Sequence, residues 1–181
     1  IEPVQQDVER AKQLLAEASY PDGFSTAILT SDHQQRVDFS EIAQNQLAAI
    51  GIECQVDIME WGAYLDAVFA GEHEMTVLGY SYGLDPGTGL YSLFHSDSFG
   101  PDGNIAWYQN DEVDRLLTEA QTEMDEQTRI QMFKDVQTIV TDEAPWVFIW
   151  QGENINGTAA NLRGWENRGD GQYRFMDMYF E

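Results

Sequence analysis

Positive charge is what this 181-residue chain has least of. Nine Lys plus Arg stand against 32 Asp plus Glu, a formal net charge of -23 at pH 7, and Lys12 and Lys134 are its lysines. A surface of that sign repels phosphate backbones and anionic headgroups, which argues against nucleic acid or acidic membrane as partners. The carboxylates are scattered along the chain and form no acidic tail. Dispersed like charge destabilises a compact state in dilute salt. At molar salt the Debye length falls to about 3 Å and most of that penalty disappears. The composition therefore suits a protein working in concentrated salt, with an ordinary acidic secreted or cytosolic protein as the other reading.

Cysteine is nearly absent too. Cys54 stands alone, which excludes an internal disulfide, and it falls in an alternating run that reads as sheet or core. No apolar run reaches the 18 residues of a membrane-spanning helix. No signal peptide is visible, and the chain opens without Met directly into a helical pattern, as a piece of something longer would. Motifs that carry chemistry are missing as well. No glycine-rich phosphate loop follows a strand, and no Gly-x-Ser-x-Gly elbow exists. His33, His73 and His95 are too dispersed for a metal site and read as surface residues. The stretch from Asp97 to Asn104 lacks the alternating oxygens and closing Glu of a calcium loop. Carboxylate pairs are too common here to single one out. Neither an enzyme nor a cofactor is expected. Asn156-Gly157-Thr158 reads equally as a glycosylation acceptor and as an Asn-Gly turn.

With 43% hydrophobic and 12% aromatic residues, the composition is globular. Val8, Ala11, Leu14, Leu15 and Ala18 predict a first helix stopped by Pro21-Asp22-Gly23, and residues 24–30 a strand. Val37 to Ile50 predicts a second helix capped by Gly51. Ile52, Cys54, Val56 and Ile58 alternate as a strand, and Tyr64 to Phe69 marks a short helix closing at Gly71. Residues 75–80 read as a buried strand. That alternation argues for an α/β layer with right-handed crossovers. A long structureless loop is expected after Asp85-Pro86, up to Asn104, followed by helices over 113–124 and 130–140 and a strand over 145–150.

The stretch from Met75 to Pro86 carries the functional expectation. An apolar run ends in Tyr80, Ser81, Tyr82, Gly83 and Asp85-Pro86. Aromatic faces and short polar groups at the carboxyl end of a buried strand line crevices in α/β sheets. Trp61 and Tyr64 join this candidate set, with core packing as the competing role for both.

Several motifs, in order, resemble the dipeptide/oligopeptide-binding family of extracellular solute-binding proteins, family 5. Residues 9–24, ERAKQLLAEASYPDGF, resemble the family opening A-K-x-L-L-x-E-A-G-Y-P-D-G-F, with Ser19 in place of Gly. Gln46-Leu47 with Ile50-Gly51-Ile52 resembles its L-x-x-I-G-I helix end. Gly79-Tyr80 with Asp85-Pro86 resembles G-W…D-P, and Asn104, Tyr108, Asn110, Val113 and Asp114 resemble N-x-x-x-Y-x-N-x-x-V-D. Arg129, Gln137 and Ala144-Pro145 continue the series, so the similarity runs from about Glu9 to Trp150.

The resemblance implies a type II periplasmic-binding-protein-like α/β lobe with a mixed sheet flanked by helices. Residues 1–150 would form the C-terminal lobe of a two-lobed receptor, and residues 151–181 a return segment toward the other lobe. It implies a monomer at the outer cell surface that passes a peptide or other small solute to an ABC permease. Its ligand contacts would be Tyr80, Ser81, Tyr82, Asp85, Trp61 and Tyr64. The interval Ser81–Leu84 lacks the acidic residue that pairs with a peptide's amino terminus in peptide-binding relatives, which leaves sugars and other uncharged solutes open beside peptides. A hydrolase using a carboxylate pair and a surface adhesion module are the alternatives from other classes.

Overall fold

The computed structural model describes residues 5–81, 85–149, 152, 155–166, 168 and 172–181. They fall into two compact units, Ile1–Tyr80 with Ser96–Tyr108, and Ser81–His95 with Gln109–Glu181.

The first unit is built on three parallel strands, β1 (Ser25–Ser31), β2 (Glu53–Met59) and β3 (Met75–Thr76), in the order β2-β1-β3. Ile28 of the central strand faces Val56 on one side and Met75 on the other. Helices α1 (Val8–Glu17), α2 (Gln34–Ala48) and α3 (Trp61–Ala70) alternate with them, as parallel pairing requires. Ile28, Cys54 and Val77 form a core against which Phe39, Ala43 and Leu47 of α2 pack, so the period-2 and period-3.6 apolar patterns meet on one sheet face.

The turns carry their own signatures. Gly51 (φ 91°) ends α2 in a left-handed cap, and the Ile52 N–H closes it on the Leu47 carbonyl at 3.1 Å. The equivalent position after α1 is Ser19, at φ 72°. There the Tyr20 N–H reaches the Leu15 carbonyl at 2.8 Å. A left-handed non-glycine residue costs roughly 1–2 kcal/mol. This is the position where the family opening has Gly.

Two expectations for residues 75–104 change. The strand predicted over 75–80 pairs only through Met75 and Thr76. Beyond them the Val77 carbonyl accepts a bond from the Tyr64 hydroxyl at 2.9 Å, so a side chain takes the place of a neighbouring strand. The stretch after Asp85-Pro86, expected to be structureless up to Asn104, holds all but the first residue of helix α4 (Pro86–Phe94) and two 3-10 turns, Ser96–Ser98 and Gly100–Asp102. Asp85 caps α4 and Pro86 occupies its first turn, a start signal that outweighs Gly87 and Gly89.

The second unit packs α4 with α5 (Asp111–Ala120) and α6 (Glu126–Glu143). Phe94, Val113, Leu116, Leu117, Phe133, Val136 and Val140 supply its buried apolar groups. Asn110 caps α5 by accepting from the Glu112 and Val113 N–H groups. The fourth predicted helix stops at Ala120 instead of continuing to Met124, which is 93% exposed. The strand predicted over 145–150 is not seen among its described residues, and Val147 and Phe148 are exposed. An apolar run of that length has no periodicity to separate a paired strand from an unpaired one. Further on, β4 (Leu162–Arg163) and β5 (Tyr179–Phe180) pair antiparallel.

Candidate ligand-binding site

In the first unit the carboxyl ends of β1 and β2 are tied together by the Asp32 N–H donating to the Met59 carbonyl at 3.1 Å. Helices α2 and α3 start from that edge. Glu60 caps α3, its carboxylate accepting from the Gly62 N–H at 2.8 Å. Trp61 is the first residue of α3 and is 42% exposed. Its ring stacks on Tyr64 with centroids 5.7 Å apart, the i,i+3 spacing that brings side chains together on one helix face.

Tyr64 itself is fully buried. Its hydroxyl lies 2.8 Å from Thr76 Oγ1 and 2.9 Å from the Val77 carbonyl oxygen, and Thr76 in turn donates to the Leu29 carbonyl at 3.0 Å. Burial raises the phenol above its ordinary pKa, against the opposing Thr76 bond and the field of Arg36. Tyr64 thus joins α3 to β3 and props the Trp61 ring from below. Tyr80 is half-buried at the end of this unit.

Sequence reasoning overlooked Arg36. It lies in the first turn of α2 with its guanidinium carbon 4.8 Å from the Trp61 ring centroid, and its Nη1 donates to the buried Ser31 hydroxyl at 2.9 Å. The available signal was scarcity, because a chain this acidic places few cations and each is worth locating.

Ser81 and Asp85 belong to the second unit, and both are exposed. Tyr82 lies outside the described residues. The Asp85 carboxylate accepts from the Thr88 N–H at 3.2 Å and the Thr88 hydroxyl at 3.0 Å. Those two bonds, with a smaller contribution from the field of Arg129, hold its carboxyl below the ordinary 3.8. A carboxyl with a depressed folded-state pKa stabilises the fold above its unfolded value and loses that contribution as pH falls through the folded one. Asp85→Ala is therefore expected to cost about 1 kcal/mol at neutral pH, with the gap to wild type closing below pH 3.8. Asp85→Asn, which keeps the cap without a titrating group, should match wild type closely at pH 7 and be the more stable of the two at pH 3. Urea midpoints of the three proteins at pH 7 and pH 3 check this.

His95, expected at the surface, is buried in the second unit. It stacks on Tyr91 at 4.1 Å, and its Nε2 is 3.1 Å from Thr118 Oγ1. The hidden start of α4 concealed the helix end that buries it. Among the described residues no cluster of His, Cys, Asp or Glu could hold a metal ion, and no helix is long and apolar enough to cross a membrane.

Parallel strands flanked by helices, with side chains gathered at their carboxyl edge, define a type II periplasmic-binding-protein-like lobe. Residues 1–101 match the sequence profile of the bacterial extracellular solute-binding proteins, family 5 Middle, and the chain belongs to that family. It is 32% identical over 184 residues to the glutathione-binding protein GsiB of Salmonella choleraesuis (strain SC-B67), covering 97% of this chain and 36% of GsiB. It superposes with a TM-score of 0.81 at 30% identity on DppA of Helicobacter pylori in complex with the peptide STSA, over 100% of this chain and 36% of DppA. The oligopeptide-binding protein AppA of Bacillus subtilis, in complex with a nonapeptide, gives 0.81 at 25% identity over 99% of this chain and 40% of AppA. The chain thus spans about a third of the length of the curated relatives it matches.

Proposed function

We propose that this chain is a lobe of the solute-binding component of an ABC importer, and that the protein binds a peptide or another small solute without chemical conversion. The observation that carries the reading is the collinear match to family 5 binding proteins, whose named members bind glutathione or hold peptides. Residues 1–150 act as the lobe, and residues 151–181 run toward the rest of the receptor. The solute is buried by closure of two lobes, the hinge motion general to such receptors. The proposed ligand contacts include Trp61 and Tyr80 as aromatic faces, with Tyr64 stacked against Trp61. Ser81, Tyr82 and Asp85 complete the proposed set. The receptor works as a monomer anchored outside the cell, hands its solute to a membrane permease and uses neither a cofactor nor nucleic acid. The hydrolase alternative gains no support from the relatives, none of which is named for a reaction.

The test is thermal melting in molar KCl against dipeptides, glutathione, longer peptides and oligosaccharides. It should be run on the 181-residue chain and on the full-length gene product if that is longer. A saturable rise in melting temperature with one solute class, and no turnover of that solute, is the expected result. Saturable turnover that survives repurification would overturn the reading.

A further inference from the structure

We propose that Asn156 is an N-glycosylation site, its side-chain amide carrying a glycan on the second unit. The proposal rests on the reading above in one respect, that the receptor is exported, because this acceptor motif is used on secreted chains.

From sequence, Asn156-Gly157-Thr158 is an acceptor or a tight Asn-Gly turn, and the backbone separates the two. A two-residue Asn-Gly turn needs positive φ at both central positions. Neither Asn156 nor Gly157 has one, and residues 155–159 lie in no helix, strand or turn. The turn reading fails, and the acceptor reading is the one the local structure fits. Of the chain's asparagines, Asn156 alone has Ser or Thr two positions on with a residue other than Pro between.

The amide is held with its two ends in different roles. Tyr173 donates its hydroxyl to Asn156 Oδ1 at 2.7 Å, so the carbonyl end is occupied. Nδ2, the atom that takes the sugar, has no partner among the described residues. Asn156 is half-buried, but the segment around it is open. Ile155 is 95% exposed, Gly157 and Thr158 are exposed, and nothing lies within 4 Å of a Cβ placed on Gly157. The folded unit therefore has room for a bulky group on this segment. The Tyr173 bond also brings apolar surface to the acceptor. The Tyr173 ring lies 6.0 Å from that of Phe175, and Phe175 and Met176 are largely exposed. A hydrated glycan at Asn156 covers part of that surface and makes it more soluble.

The transfer is a substitution at the anomeric carbon of a polyprenyl-phosphate-linked glycan, catalysed by a membrane oligosaccharyltransferase. The bond from Nδ2 to that carbon forms, and the bond from the carbon to the phosphate oxygen breaks. The lipid phosphate leaves with the bonding pair, and Nδ2 gives up one proton. The Thr158 hydroxyl is the second element of the motif that the enzyme reads.

The test is mass spectrometry of the full-length gene product, purified from the exported fraction of the organism that encodes it. Trypsin cuts after Lys134 and Arg163 and finds no Lys or Arg between them, so residues 135–163 carry the motif in one peptide. Expected is a sugar mass on Asn156 in most of this peptide from wild type, and none in Asn156→Gln or Thr158→Ala. Thr158→Ala leaves Asn156 and its bond to Tyr173 in place, so loss of the sugar there is not a loss of fold. An unmodified Asn156 in exported wild type, its deamidation to Asp without a sugar, or a sugar that survives either substitution overturns this inference and leaves the binding reading intact. Recovery of wild type only from inside the cell, unmodified, overturns both this inference and the external location of the receptor.

Discussion

Gly23→Ala is expected to lower the urea-unfolding free energy by about 2–4 kcal/mol, the combined cost of an imposed positive φ and an overpacked contact. Gly23 sits at φ 79° in the turn between α1 and β1. A Cβ there would lie 1.8 Å from the carbonyl oxygen of Gly51 and 2.3 Å from its carbonyl carbon. The obstacle is backbone, which cannot rotate aside as a side chain would. Gly51 belongs to the turn between α2 and β2, so the two turns rest on each other just before the ladder in which Ser25 faces Glu53. Separating them strains the first rungs of the main strand pair, where the Glu53 N–H donates to the Phe24 carbonyl at 2.9 Å. Gly79→Ala is the matched control. Nothing lies within 4 Å of its Cβ position, and its cost should stay within about 0.5 kcal/mol. Equal urea midpoints for the two variants would mean that the turns do not touch in solution.

The same two turns mark the part of the fold that is legible in the sequence. Pro21-Asp22-Gly23 and Ile50-Gly51-Ile52 both signal helix ends, and the alternation of Ile52, Cys54, Val56 and Ile58 gives β2 without help from tertiary structure. Local chemistry determines those elements, so local reading finds them. The failures have a common cause, since in most of them the deciding partner is distant in sequence. β3 stops at Thr76 because Tyr64, more than ten residues earlier, supplies the next hydrogen bond. The apolar run at 145–149 looks like a strand but has no described strand beside it. Helix α4 is a different case: it hides behind two glycines, and its real signal is the single pair Asp85-Pro86. The candidate site divides the same way. Trp61 is legible as an aromatic just past a strand; it opens α3 and is 42% exposed. The place of Arg36 over the Trp61 ring is not legible, because it depends on α2 and α3 starting from the same sheet edge.

Molar salt is expected to raise the melting temperature by about 10 °C or more over dilute buffer, the largest single effect anticipated for this chain. At 10 Å two like charges in water repel by about 0.4 kcal/mol, and at molar salt a Debye length of about 3 Å removes nearly all of that. A compact chain with a net charge of -23 contains many such pairs, and the favourable ones are few. Among the described residues its cations form mostly short-range bridges on exposed surface, such as Arg115 with Glu112 and Glu119. Bridges of that kind contribute little. Unfolding spreads the charges apart and relieves part of the repulsion even without salt, so the net gain from screening is a few kcal/mol. At about 2–4 °C per kcal/mol for a chain of this length, that gives the predicted shift. Melts in 10 mM, 0.15 M and 2 M KCl, repeated with sodium sulfate at matched ionic strength, test it. Screening predicts most of the rise at the lower concentrations and near-equality of the two salts there. A rise confined to molar sulfate would instead point to enhanced apolar burial, and an unchanged melting temperature would remove the case for a high-salt habitat.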